Sequence, residues 1–90
     1  MAMNKSDTSK LEEEVILGND ARSAYESFVG SYVAQERLEI FNEFCSALST
    51  EDNELTIIKY RQVALDAMES SILSVIETGK MAQLMLDTDN

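Results

Sequence analysis

The sequence predicts an all-α fold, a short N-terminal helix followed by an antiparallel pair of long helices. Three observations predict it. Proline is absent from all 90 residues, so no residue forces a helix to end. Two long stretches carry apolar residues at helical spacing. A polar segment, Ser49-Thr50-Glu51-Asp52-Asn53, separates them.

Met1 to Ser9 shows no periodicity and is expected to be a disordered tail. One helical domain should then cover 10–86, with a frayed end at 87–90. Lys10 to Leu17 (KLEEEVIL) is a good helix former, and its early acidic residues suit the positive end of a helix dipole. Gly18-Asn19-Asp20 reads as punctuation. Gly18 can supply a left-handed closing residue, and Asn19 or Asp20 can cap the next helix. A short helix is expected over 10–17.

From Asp20 to about Leu48 the pattern is one long helix. Ala21, Tyr25, Phe28 and Tyr32 keep helical spacing, and Ala34, Leu38, Phe41, Cys45 and Leu48 continue the stripe. Val33, Ile40 and Phe44 widen it beyond what one neighbouring helix covers. Val33, Leu38, Ile40, Phe41 and Phe44 are therefore the expected packing and oligomer surface. Phe41 is expected in the core, at the helix crossing or at an oligomer seam. Gly30 lies in a ridge of small residues, Ser23, Ser27, Ser31 and Ala34. It is either tolerated there or admits another backbone.

Ser49 to Asn53 has cap-like spacing and a short span, which makes its flanking helices antiparallel neighbours. The second long helix should run from about Glu51 to Thr78. Its apolar face is Leu55, Ile58, Leu65, Met68, Ile72, Val75 and Ile76. Ala64, Ala67, Ser71 and Ser74 form a second small ridge, a candidate partner for the first. Gly79 reads as a helix end, with Met81 to Leu86 as an extension or a further turn. Each long helix would span ~40 Å at 1.5 Å per residue. No internal repeat is evident. Glu69 and Glu77 sit near the stripe and Gln62 within it, where polar residues can set register or oligomeric state.

Composition restricts function. Histidine is absent, so the commonest general base and zinc ligand is missing. Cys45, the single cysteine, can form no internal disulfide and no Cys–His nucleophile. Its place in the stripe reads as structural. Glu36, Glu39 and Glu43 share one helix face, but the histidine of a carboxylate-bridged di-iron site is missing. No cofactor, metal or catalytic residue is expected, and the protein reads as a non-enzyme. Acidic residues outnumber basic ones 17 to 7, for a formal charge of −10. Such a monomer repels phosphate and anionic lipid. No direct nucleic-acid partner is expected for the monomer, although an oligomeric ring could concentrate the few basic residues, and no membrane partner is expected. No apolar run approaches ~20 residues and no signal-peptide pattern opens the chain, so a cytoplasmic location is expected. Lys59, Tyr60 and Arg61 form the one basic–aromatic cluster, better suited to local ion pairing than to DNA.

Three segments and an aromatic pair then carry a resemblance. They are Ile16 to Tyr25 (ILGNDARSAY), the Phe41–Phe44 pair, Ala64 to Glu69 (ALDAME), and Ile76 to Ala82 (IETGKMA). Together they resemble small uncharacterised helical proteins of tailed bacteriophages, often encoded near head and DNA-packaging genes. The likeness covers about residues 11–86 and ends in the Thr-Gly-Lys step. Phe41 stands near the place of an expected tryptophan. The resemblance implies a helical fold and a viral setting, with host cytoplasm or virion as the location, and it transfers no catalytic residue. Two functions arise as expectations. One is a structural, assembly or adaptor protein working as a homo-oligomer through helix packing. The other is an acidic inhibitor whose Glu36, Glu39 and Glu43 face covers a basic surface of a host protein.

Overall fold

A computed structural model describes residues 4–47 and 52–89. Every described residue from Lys5 onward is helical. The elements are α1 (Lys5–Ala24), a π turn (Tyr25–Val29), α2 (Gly30–Ala47) and α3 (Asp52–Asp89). α1, the π turn and α2 form one unbroken rod that pairs antiparallel with α3. At 1.5 Å per residue the 38 residues of α3 span ~57 Å, well beyond the expected ~40 Å. The molecule measures 62 × 23 × 15 Å. Its radius of gyration is 19.1 Å, against roughly 12 Å for a compact domain of this length.

The start of α1 lies inside the segment expected to be a tail. Asn4 caps it, accepting from the Asp7 backbone N–H at 2.9 Å. The separate short helix over 10–17 does not exist. The chain passes through Gly18, Asn19 and Asp20 in helical conformation, and no described glycine has positive φ. Asn19 does not cap; its side chain accepts from Arg22 at 2.9 Å. Gly79 likewise ends nothing, since α3 continues to Asp89, past the expected fraying. The expected connection straddles the boundary: residues 48–51 and their caps lie outside the described residues, whereas Asp52 and Asn53 already belong to α3.

Both glycines serve a close approach. A Cβ added at Gly18 would lie 2.7 Å from the Gly79 Cα, and one at Gly79 would lie 2.8 Å from the Gly18 Cα. The two backbones touch here, and α1 consequently lies closer to α3 than α2 does. Toward the connecting end, branched side chains hold the helices apart. Val33, Ile40, Ala47, Ile58 and Leu65 form that part of the core, with Val29 and Leu55 packed against it. Leu11, Ile76 and Ala82 are buried at the other end.

The buried positions follow heptads. On α3, Ile58, Leu65, Ile72, Gly79 and Leu86 are each seven residues apart, and all are buried or half-buried. On the first rod, Leu11, Gly18 and Tyr25 keep that interval, as do Val33, Ile40 and Ala47. Between Tyr25 and Val33 the interval is eight. The π turn absorbs that extra residue, since its i→i+5 bonding takes up one residue more than an α turn. Without it the later half of the stripe would rotate off the seam.

Several expected placements change with this register. Phe41 is 60% exposed and Phe44 and Leu38 are exposed as well, so only Val33 and Ile40 of the expected packing set are core. Phe28, Tyr32, Met68 and Val75 are exposed too. Cys45 is exposed, not structural. The small ridges do not meet. Ser23, Ser27, Ser31 and Ala34 face solvent, as do Ala64, Ala67, Ser71 and Ser74. The buried stripe is narrower than the periodicity suggests, because spacing alone does not say which edge of a broad apolar face meets the neighbour.

Candidate functional site

A polar cluster crosses the seam from the start of the π turn and from α2 to α3. The Tyr25 hydroxyl donates to Glu69 Oε2 at 2.9 Å. Arg37 Nη2 donates to Glu69 Oε1 and to Asp66 Oδ1, both at 2.8 Å. The Glu69 side chain is 16% exposed. Glu69 thus takes the seam position that its place in the sequence suggests, whereas Glu77 points to solvent. Gln62, half-buried on the same series of α3 positions, donates to Asp66 Oδ1 at 2.9 Å. The Arg37 and Tyr25 hydrogen bonds hold the Glu69 carboxyl below the usual carboxylate range. In return Glu69 raises the Tyr25 phenol, and Glu69 and Asp66 raise the already basic Arg37. The cluster ties three helical segments together.

Across the seam a second cation does similar work. Arg61 pairs with Glu43 and reaches Glu36 at 3.9 Å. Two members of the expected acidic face therefore neutralise a cation of the same chain, while Glu39 is exposed. Lys80 contacts Glu77 at 3.8 Å on the surface. Among the described residues no group of three potential metal ligands comes together. None of the described helices is long and apolar enough to cross a membrane.

Among the described residues, open grooves border the seam on both broad faces. One face has a groove of about 520 Å³ beside Phe41, Phe44 and Val63, with Arg37 and Lys59 on its rim. It also has a groove of about 460 Å³ beside Val15 and Leu84, with Arg22 and Lys80. Neither lining contains a carboxylate. On the opposite face, Glu43 and Glu54 line one groove beside Ile57, and Glu36 and Arg61 line the other beside Tyr32 and Met68. The linings share an apolar floor, and most of their charged groups are engaged within the chain: Arg37 with Asp66 and Glu69, Lys80 with Glu77, and Glu36 and Glu43 with Arg61.

The cation-lined grooves are built alike. Leu55, Ile58, Lys59, Gln62 and Val63 line one; Ile76, Gly79, Lys80, Gln83 and Leu84 line the other. Each residue of the second set stands 21 positions after its counterpart, which is three heptads. The shared pattern is apolar-x-x-(Ile/Gly)-Lys-x-x-Gln-apolar. This repeat escapes a reading of the sequence because only five of its nine positions correspond, and only Lys and Gln are identical. The structure makes it visible by putting those five on one side of the seam.

No protein-family model matches the chain, and no curated protein or solved structure is detectably similar to it.

Proposed function

We propose that this chain is a non-enzymatic assembly or adaptor protein, of the kind tailed bacteriophages encode, and that it acts as a homo-oligomer through helix packing. One observation carries the reading. Sixteen large hydrophobic side chains are exposed on the described helices, while eight hydrophobic residues form the core. Isolated apolar side chains on a surface are ordinary, but contiguous grooves of them mark interaction sites. The Phe41–Phe44 pair resembles the phage proteins and forms one wall of the groove of about 520 Å³. The alternative, an acidic inhibitor, is less favoured, because Glu36 and Glu43 are already engaged by Arg61.

Sedimentation velocity over a concentration series tests the reading. Self-association is expected, and Phe44→Glu should weaken it with helix content unchanged. Polar substitution of Ile40 cannot serve, because that side chain belongs to the hairpin's own core. A folded chain that stays monomeric throughout the series removes the homo-oligomer. Glu39→Lys separates the alternatives. It leaves the Arg61 pairs intact, should spare self-association, and should weaken only an inhibitor's hold on a basic partner.

A further inference from the structure

We infer that the π turn is a slip with two stations: it can move one heptad along the rod, from Tyr25–Val29 to 32–36, exchanging Val33 for Tyr32 in the seam. The inference concerns the hairpin itself and does not depend on self-association. The eight-residue interval has to fall somewhere along the rod, and the sequence admits it at two places. At the observed station the seam reads Gly18, Tyr25, Val33, Ile40. One heptad on it would read Gly18, Tyr25, Tyr32, Ile40, with no charged side chain introduced. A heptad beyond that, Glu39 would replace Ile40. A heptad back from the observed station, Glu26 would replace Tyr25. A carboxylate set among apolar neighbours is costly, so each glutamate is a stop.

Both ends of this window are held. Tyr25 is bonded to Glu69 at one end; at the other, Arg37 is bonded to Glu69 and Asp66, and Ile40 belongs to the buried cluster. A turn at 32–36 leaves all three in place, because only residues 30–36 rotate, by ~100°. Val33, which shares the buried cluster with Leu65, then turns outward. Tyr32 turns inward from a groove of about 270 Å³ that it already shares with Ala64, Leu65 and Met68. The move gives up the Arg61–Glu36 contact at 3.9 Å, while Arg61 keeps Glu43. Gly30 favours the observed station. Its backbone N–H closes the turn onto the Tyr25 carbonyl oxygen, and a Cβ on it would lie 3.2 Å from Cε1 of the Tyr25 ring. The closing residue at the second station is Arg37, which carries a Cβ. The slip thus decides whether Tyr32 or Val33 faces solvent, and any contact made with Tyr32 from outside selects the first station.

A double-mutant cycle, followed by thermal unfolding of the full chain at low concentration, tests this. Tyr32→Glu alone, at an exposed site, should leave the melting temperature nearly unchanged. Val33→Glu, at a site only 1% exposed, should lower it yet keep a cooperative transition, since the chain moves to the second station. The two together should abolish the transition, because each station then carries a carboxylate, and this dependence of one change on the other is the signature sought. Tyrosine nitration in a Cys45→Ser background gives a second readout. Tyr32 should react in the wild type and be protected in Val33→Glu, with the exposed Tyr60 as the internal reference. Tyr32→Glu that is as silent on Val33→Glu as on the wild type overturns the slip. A Val33→Glu chain that is unfolded by itself, or folded with Tyr32 reacting like Tyr60, also overturns it.

Discussion

Gly18 and Gly79 each occupy the space that a side chain on the other would need. The clash for either is with backbone: the opposing Cα, then the Val75 carbonyl oxygen at 3.2 Å from a Cβ on Gly18, or the Glu14 carbonyl oxygen at 3.0 Å from one on Gly79. Backbone in a packed helix cannot step aside as a flexible side chain can. The crossing therefore sets the helix spacing for the whole α1 half of the hairpin.

Gly18→Ala and Gly79→Ala should each destabilise the protein, although alanine is the better helix former. Overpacking costs ~1–3 kcal/mol and outweighs the ~1 kcal/mol gain in propensity. Chemical denaturation reads the sign directly. Ser27→Ala, at an exposed site, serves as the comparison and should be neutral or mildly stabilising. A glycine variant more stable than the wild type would mean that the helices do not touch there.

Ile40→Ala should cost ~2–5 kcal/mol, as core truncations do. Phe41→Ala, one residue on, should stay within ~0.5 kcal/mol in the dissociated chain, as surface changes do. Equilibrium unfolding at low protein concentration compares the two. Equal losses would rotate α2 out of its register with α3.

The Glu69 carboxyl titrates lower in the folded chain than in the unfolded one. Its contribution to stability is therefore complete above the ordinary carboxylate pKa and is lost as pH falls through the folded value. Tyr25 is shifted the other way, so its contribution is complete below the ordinary phenol value of 10.0 and is lost as pH rises past it. The difference in melting temperature between wild type and Glu69→Gln should hold steady near neutrality and shrink in acid. The wild-type curve alone would not show this, because acid also relieves the repulsion of a chain carrying −10. A difference that does not change with pH would place Glu69 outside the cluster.

Deleting Ser27 should be tolerated. It shortens the Tyr25–Val33 interval from eight to seven and lets an ordinary α-helix carry the seam. Deleting Glu39 should abolish cooperative melting, because Val33 and Ile40 would then stand six apart, out of register with α3. Thermal unfolding followed by circular dichroism compares the two. Similar damage from both deletions would show that the π turn is not a register device.

Secondary structure and helix pairing are legible in the amino-acid order alone. No proline interrupts the chain, apolar residues recur at helical spacing, and one polar break is short enough to make the helices antiparallel. Val33, Ile40, Ile58, Leu65 and Ile76 are recognisable as apolar-face residues for the same reason, and Glu69 as a polar residue beside the seam. The role of the glycines emerges only when the helices dock. Gly18 and Gly79 carry the same local signal whether they end a helix in left-handed backbone or admit another helix, and the difference lies wholly in what stands opposite. Docking also selects which edge of the broad stripe is buried. A one-residue skip at the π turn re-aims every later side chain, and spacing alone does not locate a skip. Phe41 therefore lies on a groove wall, not in the core. Glu36 and Glu43 lie across from Arg61, a relation between residues far apart in the chain that only the packed helices create.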